Sequence, residues 1–225
     1  MKSITVLLAE DHLIVREGIR SLLKHERDIE IVGEAETGRQ AVQLTRKLRP
    51  AVVVMDIAMP LLNGCEATRQ IRKAVPDSKV LILSAHSDYA YIEELTEIGA
   101  AGFLLKQTSS HILAKAIREV HKGNTFFSPS IVKRLQGRDE KPTGPGGKPR
   151  SRMNRLSSRE IEVLQLIAEG RPNKQVAAEL GVSFKTIDKH RQHLMAKLNI
   201  HDTAGLTRYA ISAGIIESSV QVTIA

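Results

Sequence analysis

Ala51-Val52-Val53-Val54-Met55-Asp56 is the stretch on which the fold turns. Five apolar residues end abruptly on a carboxylate. A short apolar run bounded by polar residues reads as a buried strand. Three other runs stop on reactive groups in the same way: 4–9 on Glu10 and Asp11, 80–83 on Ser84, and 102–105 on Lys106. In open parallel sheets, ligands sit just beyond the carboxyl ends of the strands. Three acids, one hydroxyl and one amine are therefore expected to converge on one small pocket.

Between these runs the period changes to that of a helix. Val15, Ile19, Leu22 and Leu23 recur at helical spacing, and a weaker strand follows at 29–33. Helical patterns occupy 38–48, which stops at Pro50, and then 65–74, 88–98 and 109–122. Asn63-Gly64 marks a turn after Asp56. Five strands alternating with five helices imply a doubly wound, five-stranded parallel sheet with right-handed crossovers over residues 1–125.

The chain then changes character. Seven glycines and prolines fall within 137–150, with no apolar residue among them, and this reads as a tether. A short helix at 130–136 precedes it, and the linker as a whole is placed at 126–152. From 153 to 225 only helices are expected, at 158–169, 173–180, 184–198 and 203–214. Ser157 and Glu160 form a capping box with Leu156 and Ile161 at the staple positions, and Asn173 and Ser183 are placed as N-caps.

The net charge of +8 is uneven. Residues 1–130 carry 17 basic and 16 acidic side chains, 131–155 carry 8 and 2, and 156–225 carry 8 and 7. The excess sits in the tether, so nucleic-acid binding has to be argued from particular residues. No apolar stretch is long enough for a membrane span. The start of the chain lacks a signal-peptide layout, and Cys65 has no internal partner, so a reducing cytoplasm is expected. Cys65 itself reads as a packed helix residue.

Carboxylates a few ångströms apart repel unless they share a cation, and Mg²⁺ binds through one or two carboxylates with water and phosphate oxygens. Such a pocket would steer a phosphoryl group to Asp56, with Lys106 supplying positive charge and Ser84 a hydroxyl. An Asp-nucleophile hydrolase would carry a second acid two residues later, where this chain has Ala58. His12 and His86 flank the pocket. Both read as loop residues shaping access, with His86 a candidate influence on dephosphorylation.

In the last segment, two helices joined by Gly181-Val182-Ser183 suggest a helix-turn-helix. Ile187, His190, Leu194 and Leu198 fall on one face, and Lys185, Lys189, Gln192 and Ala196 fall opposite with Asp188 beside them. Such a face suits a major groove. Lys174, Thr186 and Arg191 lie where they could hold phosphates.

Leu8-Ala9-Glu10-Asp11-His12, Met55-Asp56-Ile57-Ala58-Met59-Pro60 with Gly64, Ser84-Ala85 and Gly102-Phe103-Leu104-Leu105-Lys106 together resemble the receiver domain of bacterial two-component response regulators. Leu156 to Leu164, Ile167-Ala168-Glu169-Gly170, Asn173-Lys174, Leu180 to Ser183, Lys185-Thr186-Ile187, His190-Arg191 and Lys197-Leu198 resemble the LuxR-type helix-turn-helix. The pair resembles the NarL/FixJ type of regulator. The resemblance implies a flavodoxin-like receiver followed by a small all-α DNA-binding domain, acting as a transcriptional regulator and not as an enzyme. It implies that a sensor histidine kinase phosphorylates Asp56. Mg²⁺ would be held by Glu10, Asp11, Asp56 and the Ala58 carbonyl, and Ser84 and Phe103 would reorient with phosphate. DNA contacts would come from Lys174, Lys185, Thr186, Asp188, Lys189, His190, Arg191 and Gln192. Two subunits would pair on DNA through the last helix, with Leu206, Tyr209 and Ala210 as candidates that could equally be packed within the monomer, and RNA polymerase is a further candidate partner. Gln107 departs from the pattern, since many receivers have proline after the lysine.

Overall fold

The computed structural model describes residues 3–85, 89–128 and 156–216. The chain divides into two compact units, Met1–Ser151 and Arg152–Ala225. The first alternates β1 (Ile4–Ala9), α1 (Leu13–Leu23), β2 (Ile29–Ala35), α2 (Gly38–Leu48), β3 (Val52–Asp56), α3 (Gly64–Ala74), β4 (Lys79–Ser84), α4 (Tyr89–Ile98), β5 (Gly102–Leu105), α5 (Ser110–His121) and β6 (Phe126–Phe127). The strands form one sheet in the order β2-β1-β3-β4-β5-β6, and every pairing is parallel.

Every residue of β3 is buried, which is why its apolar run is unbroken. Val6, Leu8, Val52, Val54, Leu81, Leu83 and Leu104 pack on one side of the sheet with Ile19 and Leu23 of α1 and Leu113, Ala116, Ile117 and Val120 of α5. Leu22 shares the helical spacing but is 46% exposed, at the edge of the α1 stripe. Cys65 is buried on α3.

The sheet has a sixth strand that the sequence pattern does not signal. Phe126 pairs with Gly102 and Phe127 with Phe103. Two residues are too few to show alternation, and the close approach depends on Gly102, where a Cβ would lie 2.5 Å from the Phe126 carbonyl oxygen. Residues 126–127, read as the start of the linker, thus belong to the sheet edge. The expected helix at 130–136 and His86 lie outside the described residues.

The second unit contains α6 (Ser158–Ala168), α7 (Asn173–Glu179), α8 (Phe184–Leu198) and α9 (Thr203–Ser212). The Ser157–Glu160 capping box opens α6, and Leu156 and Ile161 beside it are buried. Ser183 caps α8 by accepting from the Thr186 amide at 3.1 Å. Asn173 is not a cap. Pro172 holds that position, and the Asn173 side chain instead accepts from Arg191 at 3.3 Å. Proline fits a helix start because no intrahelical partner exists there for an N–H. Ile187 and Leu194 of α8 are fully buried, while His190 and Leu198 are half-buried.

Candidate functional site

The sheet order reverses between β1 and β3, since the chain goes from β1 out to β2 and then back across. At such a switch point a crevice opens beyond the strand ends. Ala9 is in register with Met55, so Glu10 and Asp56 leave the sheet at the same height. Ser84 pairs with Leu105, and the Lys106 amide donates to the Ser84 carbonyl at 2.7 Å.

These tips meet. Lys106 Nζ lies 2.8 Å from Glu10 Oε2 and 3.0 Å from Asp56 Oδ2. Ligand atoms of Glu10, Asp11, His12 and Asp56 all lie within 4.8 Å of one another. Glu10, Asp56 and Ser84 are buried. The Ile57 amide donates to Asp56 Oδ1 at 2.8 Å. Burial first, and then the Glu10 charge, push the Asp56 carboxyl up to about 6 against the pull of Lys106. Burial disfavours the Lys106 ammonium, yet Asp56 and Glu10 outweigh it and raise its pKa. His12 behaves alike: burial opposes its charge, and Asp11 and Glu10 prevail.

The loop after β3 is tight. The Gly64 amide donates to the Ile57 carbonyl at 2.7 Å, and a Cβ on Gly64 would lie 2.0 Å from the Asp56 carbonyl oxygen. Only glycine lets α3 begin so close to the Asp56 backbone. Ala58 is in this loop, half-buried, directly after Asp56 and Ile57. Phe103, on β5, is one of the largest fully buried side chains.

The donor set fits a small hard cation. Glu10 Oε2, Asp11 Oδ1 and Asp56 Oδ2 are buried oxygens that accept no well-angled hydrogen bond among the described residues. Lys106 sits at ion-pair distance from the first and third, and His12 Nδ1 is 2.9 Å from the second. Three carboxylates against one ammonium leave surplus negative charge, which an oxygen-seeking divalent cation would balance.

Periodicity gave no hint of Arg16. It occupies an α1 position that a charge would normally keep in water, yet it is buried and donates from Nη1 to the Glu10 carbonyl at 2.7 Å. An arginine in the first helix, with glutamates at 34 and 36 at the end of the second strand, is the sequence signal for it.

In the second unit Lys174, Lys185, Thr186, Lys189 and Gln192 are exposed, and Asp188 and His190 are half-buried. Gln192 Nε2 donates to Asp188 Oδ2 at 3.2 Å, so the two form one polar ledge along α8. Thr186 Oγ1 is 2.8 Å from Ser183 Oγ, inside the cap. Arg191 donates to Asn173 and to Thr203, bracing α8 against the starts of α7 and α9. Leu206 and Ala210 are fully buried within the unit, which removes them as pairing candidates on α9 and leaves half-buried Tyr209, with Ile211 39% exposed.

Residues 6–118 match the response regulator receiver domain, and residues 154–210 match the bacterial regulatory proteins of the LuxR family. This chain is a LuxR-family response regulator. The regulator is 34% identical over 225 residues to the transcriptional regulatory protein DegU of Brevibacillus brevis, covering 95% of each chain. It is 37% identical over 214 residues to the transcriptional regulatory protein MctR of Rhizobium johnstonii, again covering 95% of each. Among solved structures it resembles the two-component response regulator RcsB in complex with DNA, at 28% identity, 94% and 99% coverage and a TM-score of 0.58. No helix among the described residues is long and apolar enough to cross a membrane.

Proposed function

We propose that this response regulator binds DNA to control transcription, and that phosphorylation of Asp56 by a sensor histidine kinase switches it. The observation that carries the reading is the meeting of Lys106 with both Asp56 and Glu10, from strands far apart in sequence. In the transfer step an Asp56 carboxylate oxygen attacks phosphorus. The P–N bond of the donor phosphohistidine breaks as the acyl-phosphate P–O bond forms, and its electron pair leaves on the imidazole nitrogen. Lys106 remains fixed beside the incoming oxygens, so little reorganisation is needed as charge shifts. Glu10, Asp11, Asp56 and the Ala58 carbonyl would hold Mg²⁺, which when bound supplies positive charge to the phosphoryl oxygens.

Ser84, at the tip of β4, would donate its hydroxyl to the phosphoryl group, and Phe103 on the next strand would answer that movement. Phosphorylation then shifts a pre-existing equilibrium, by about tenfold for every ~1.4 kcal/mol of differential stabilisation. On the DNA side, Lys185, Asp188, Lys189 and Gln192 face base edges, while Lys174, Thr186, His190 and Arg191 set the helix on the backbone. The likeness to RcsB, whose dimers are bound to DNA in a solved structure, and the exposed Ile211 support a homodimer on DNA, and RNA polymerase is a further partner of such a complex.

Binding titrations at fixed salt, on DNA selected with the regulator from random sequence, test the reading. Acetyl phosphate with Mg²⁺ is expected to tighten binding by wild type and to leave Asp56→Ala unmoved. Equal affinity with and without acetyl phosphate in wild type would reject it.

A further inference from the structure

Glu10 and Asp11 stand together at the end of β1, and the peptides on the two sides of the Glu10 Cα are each held. The Glu10 amide donates to the Ala35 carbonyl at the end of β2, at 3.0 Å. Its carbonyl accepts from Arg16 Nη1 at 2.7 Å in a buried bond. Arg16 is in turn fixed by its other nitrogens: Nε donates to Glu34 Oε2 at 3.2 Å and Nη2 to Glu36 Oε1 at 2.6 Å. The side chain is only 7% exposed. A buried guanidinium with three separate acceptors has one available geometry, unlike a lysine ammonium.

We propose that Arg16 is the positioning residue of the cation pocket: it locks the Glu10–Asp11 peptide so that both carboxylates face Asp56. This rests on the reading of the acids as a Mg²⁺ site. The physical ground is the cost of orientation. Two carboxylates that repel each other and Asp56 swing apart unless their shared backbone is fixed. A cation binding to a freed loop must order it again, and its affinity falls accordingly. Arg16 touches neither the cation nor the phosphoryl group. It acts through the Glu10 carbonyl, and Glu34 and Glu36 act through Arg16.

The test is Mg²⁺ titration of the full chain by calorimetry, with melting temperature measured alongside. Arg16→Gln is expected to weaken Mg²⁺ binding about tenfold, and Arg16→Lys to recover part of it. Arg118→Gln is the control, because Arg118 pairs with Glu26 and Asp28 away from the pocket. It is expected to lower the melting temperature while leaving Mg²⁺ affinity within twofold of wild type. If Arg16→Gln does not fold, Glu34→Ala/Glu36→Ala keeps the arginine and removes both anchors, with a loss of about threefold expected. Arg16→Gln, or the double variant in its place, binding Mg²⁺ within twofold of wild type overturns the proposal. So does an equal loss in the Arg118→Gln control. Failure of wild type itself to bind Mg²⁺ would instead remove the cation site, and this proposal with it.

Discussion

Neutralising the proposed phospho-acceptor should stabilise the receiver unit. Asp56 is buried beside Glu10, and its carboxyl is pushed from 3.8 up to about 6. At 1.36 kcal/mol for each pH unit, a shift of about 2 units corresponds to ~3 kcal/mol of cost once the group is ionised in the fold. The direction follows from proton counting. Between the unfolded and folded values the native state holds a proton that the unfolded chain has lost, so stability falls as pH rises through that window. The full cost is present above the folded value and vanishes below the unfolded one. Asp56→Asn removes the charge while its side-chain oxygen can still accept from the Ile57 amide. The gain expected in EDTA is about 3 kcal/mol at pH 7.5, falling to about 1 kcal/mol at pH 4.5. Urea unfolding of the full chain, with the receiver transition read from exchange protection of β1 and β3 amides, measures it. Adding Mg²⁺ at about 100 times its Kd should close most of the gap, since a ligand at that excess adds ~2.7 kcal/mol to wild type. A variant no more stable than wild type at pH 7.5, or a gain independent of pH, would refute the electrostatic reasoning.

Three further outcomes follow from the geometry. Gly64→Ala places a Cβ against the Asp56 carbonyl oxygen, so it should destabilise the receiver by more than ~2 kcal/mol in thermal unfolding. Lys189→Ala should flatten base preference in a selection experiment by about 1–3 kcal/mol at one position, whereas Lys174→Ala should weaken specific and random DNA alike and reduce the salt slope by about 1. Ser157→Ala removes the capping box of α6 and should cost about 0.5–2 kcal/mol in the melting of the second unit.

Most of the site was legible because it follows from strand ends. A buried parallel strand is apolar along its length, so the polar residue at which its apolar run stops marks the rim, as at Glu10-Asp11, Asp56, Ser84 and Lys106. Arg16 is not legible in the same way, because an arginine within an amphipathic helix ordinarily faces water. Its burial depends on Glu34 and Glu36, which are brought close only by the pairing of β1 with β2. The second strand runs two residues beyond the expected 29–33, because Glu34 interrupts its apolar run before Ala35. Leu206 and Ala210 show a different limit: the helical period identifies an apolar stripe but not which neighbour covers it, and here the covering is internal. Asn173 resembles a cap by residue type, but the helix begins one residue earlier than that requires, with Pro172 at the N-cap position, and the Asn173 side chain accepts from Arg191 instead.

The central claim is that a phosphoryl group on Asp56 governs DNA binding. The most direct measurement is DNA affinity of wild type and Asp56→Ala at fixed salt, each with Mg²⁺ alone and with Mg²⁺ and acetyl phosphate, together with mass analysis of the phosphorylated residue. The account predicts one added phosphoryl group on wild type, located at Asp56, with tighter binding that the variant lacks. A phosphoryl group on another residue, or the same tightening in the variant, would contradict it.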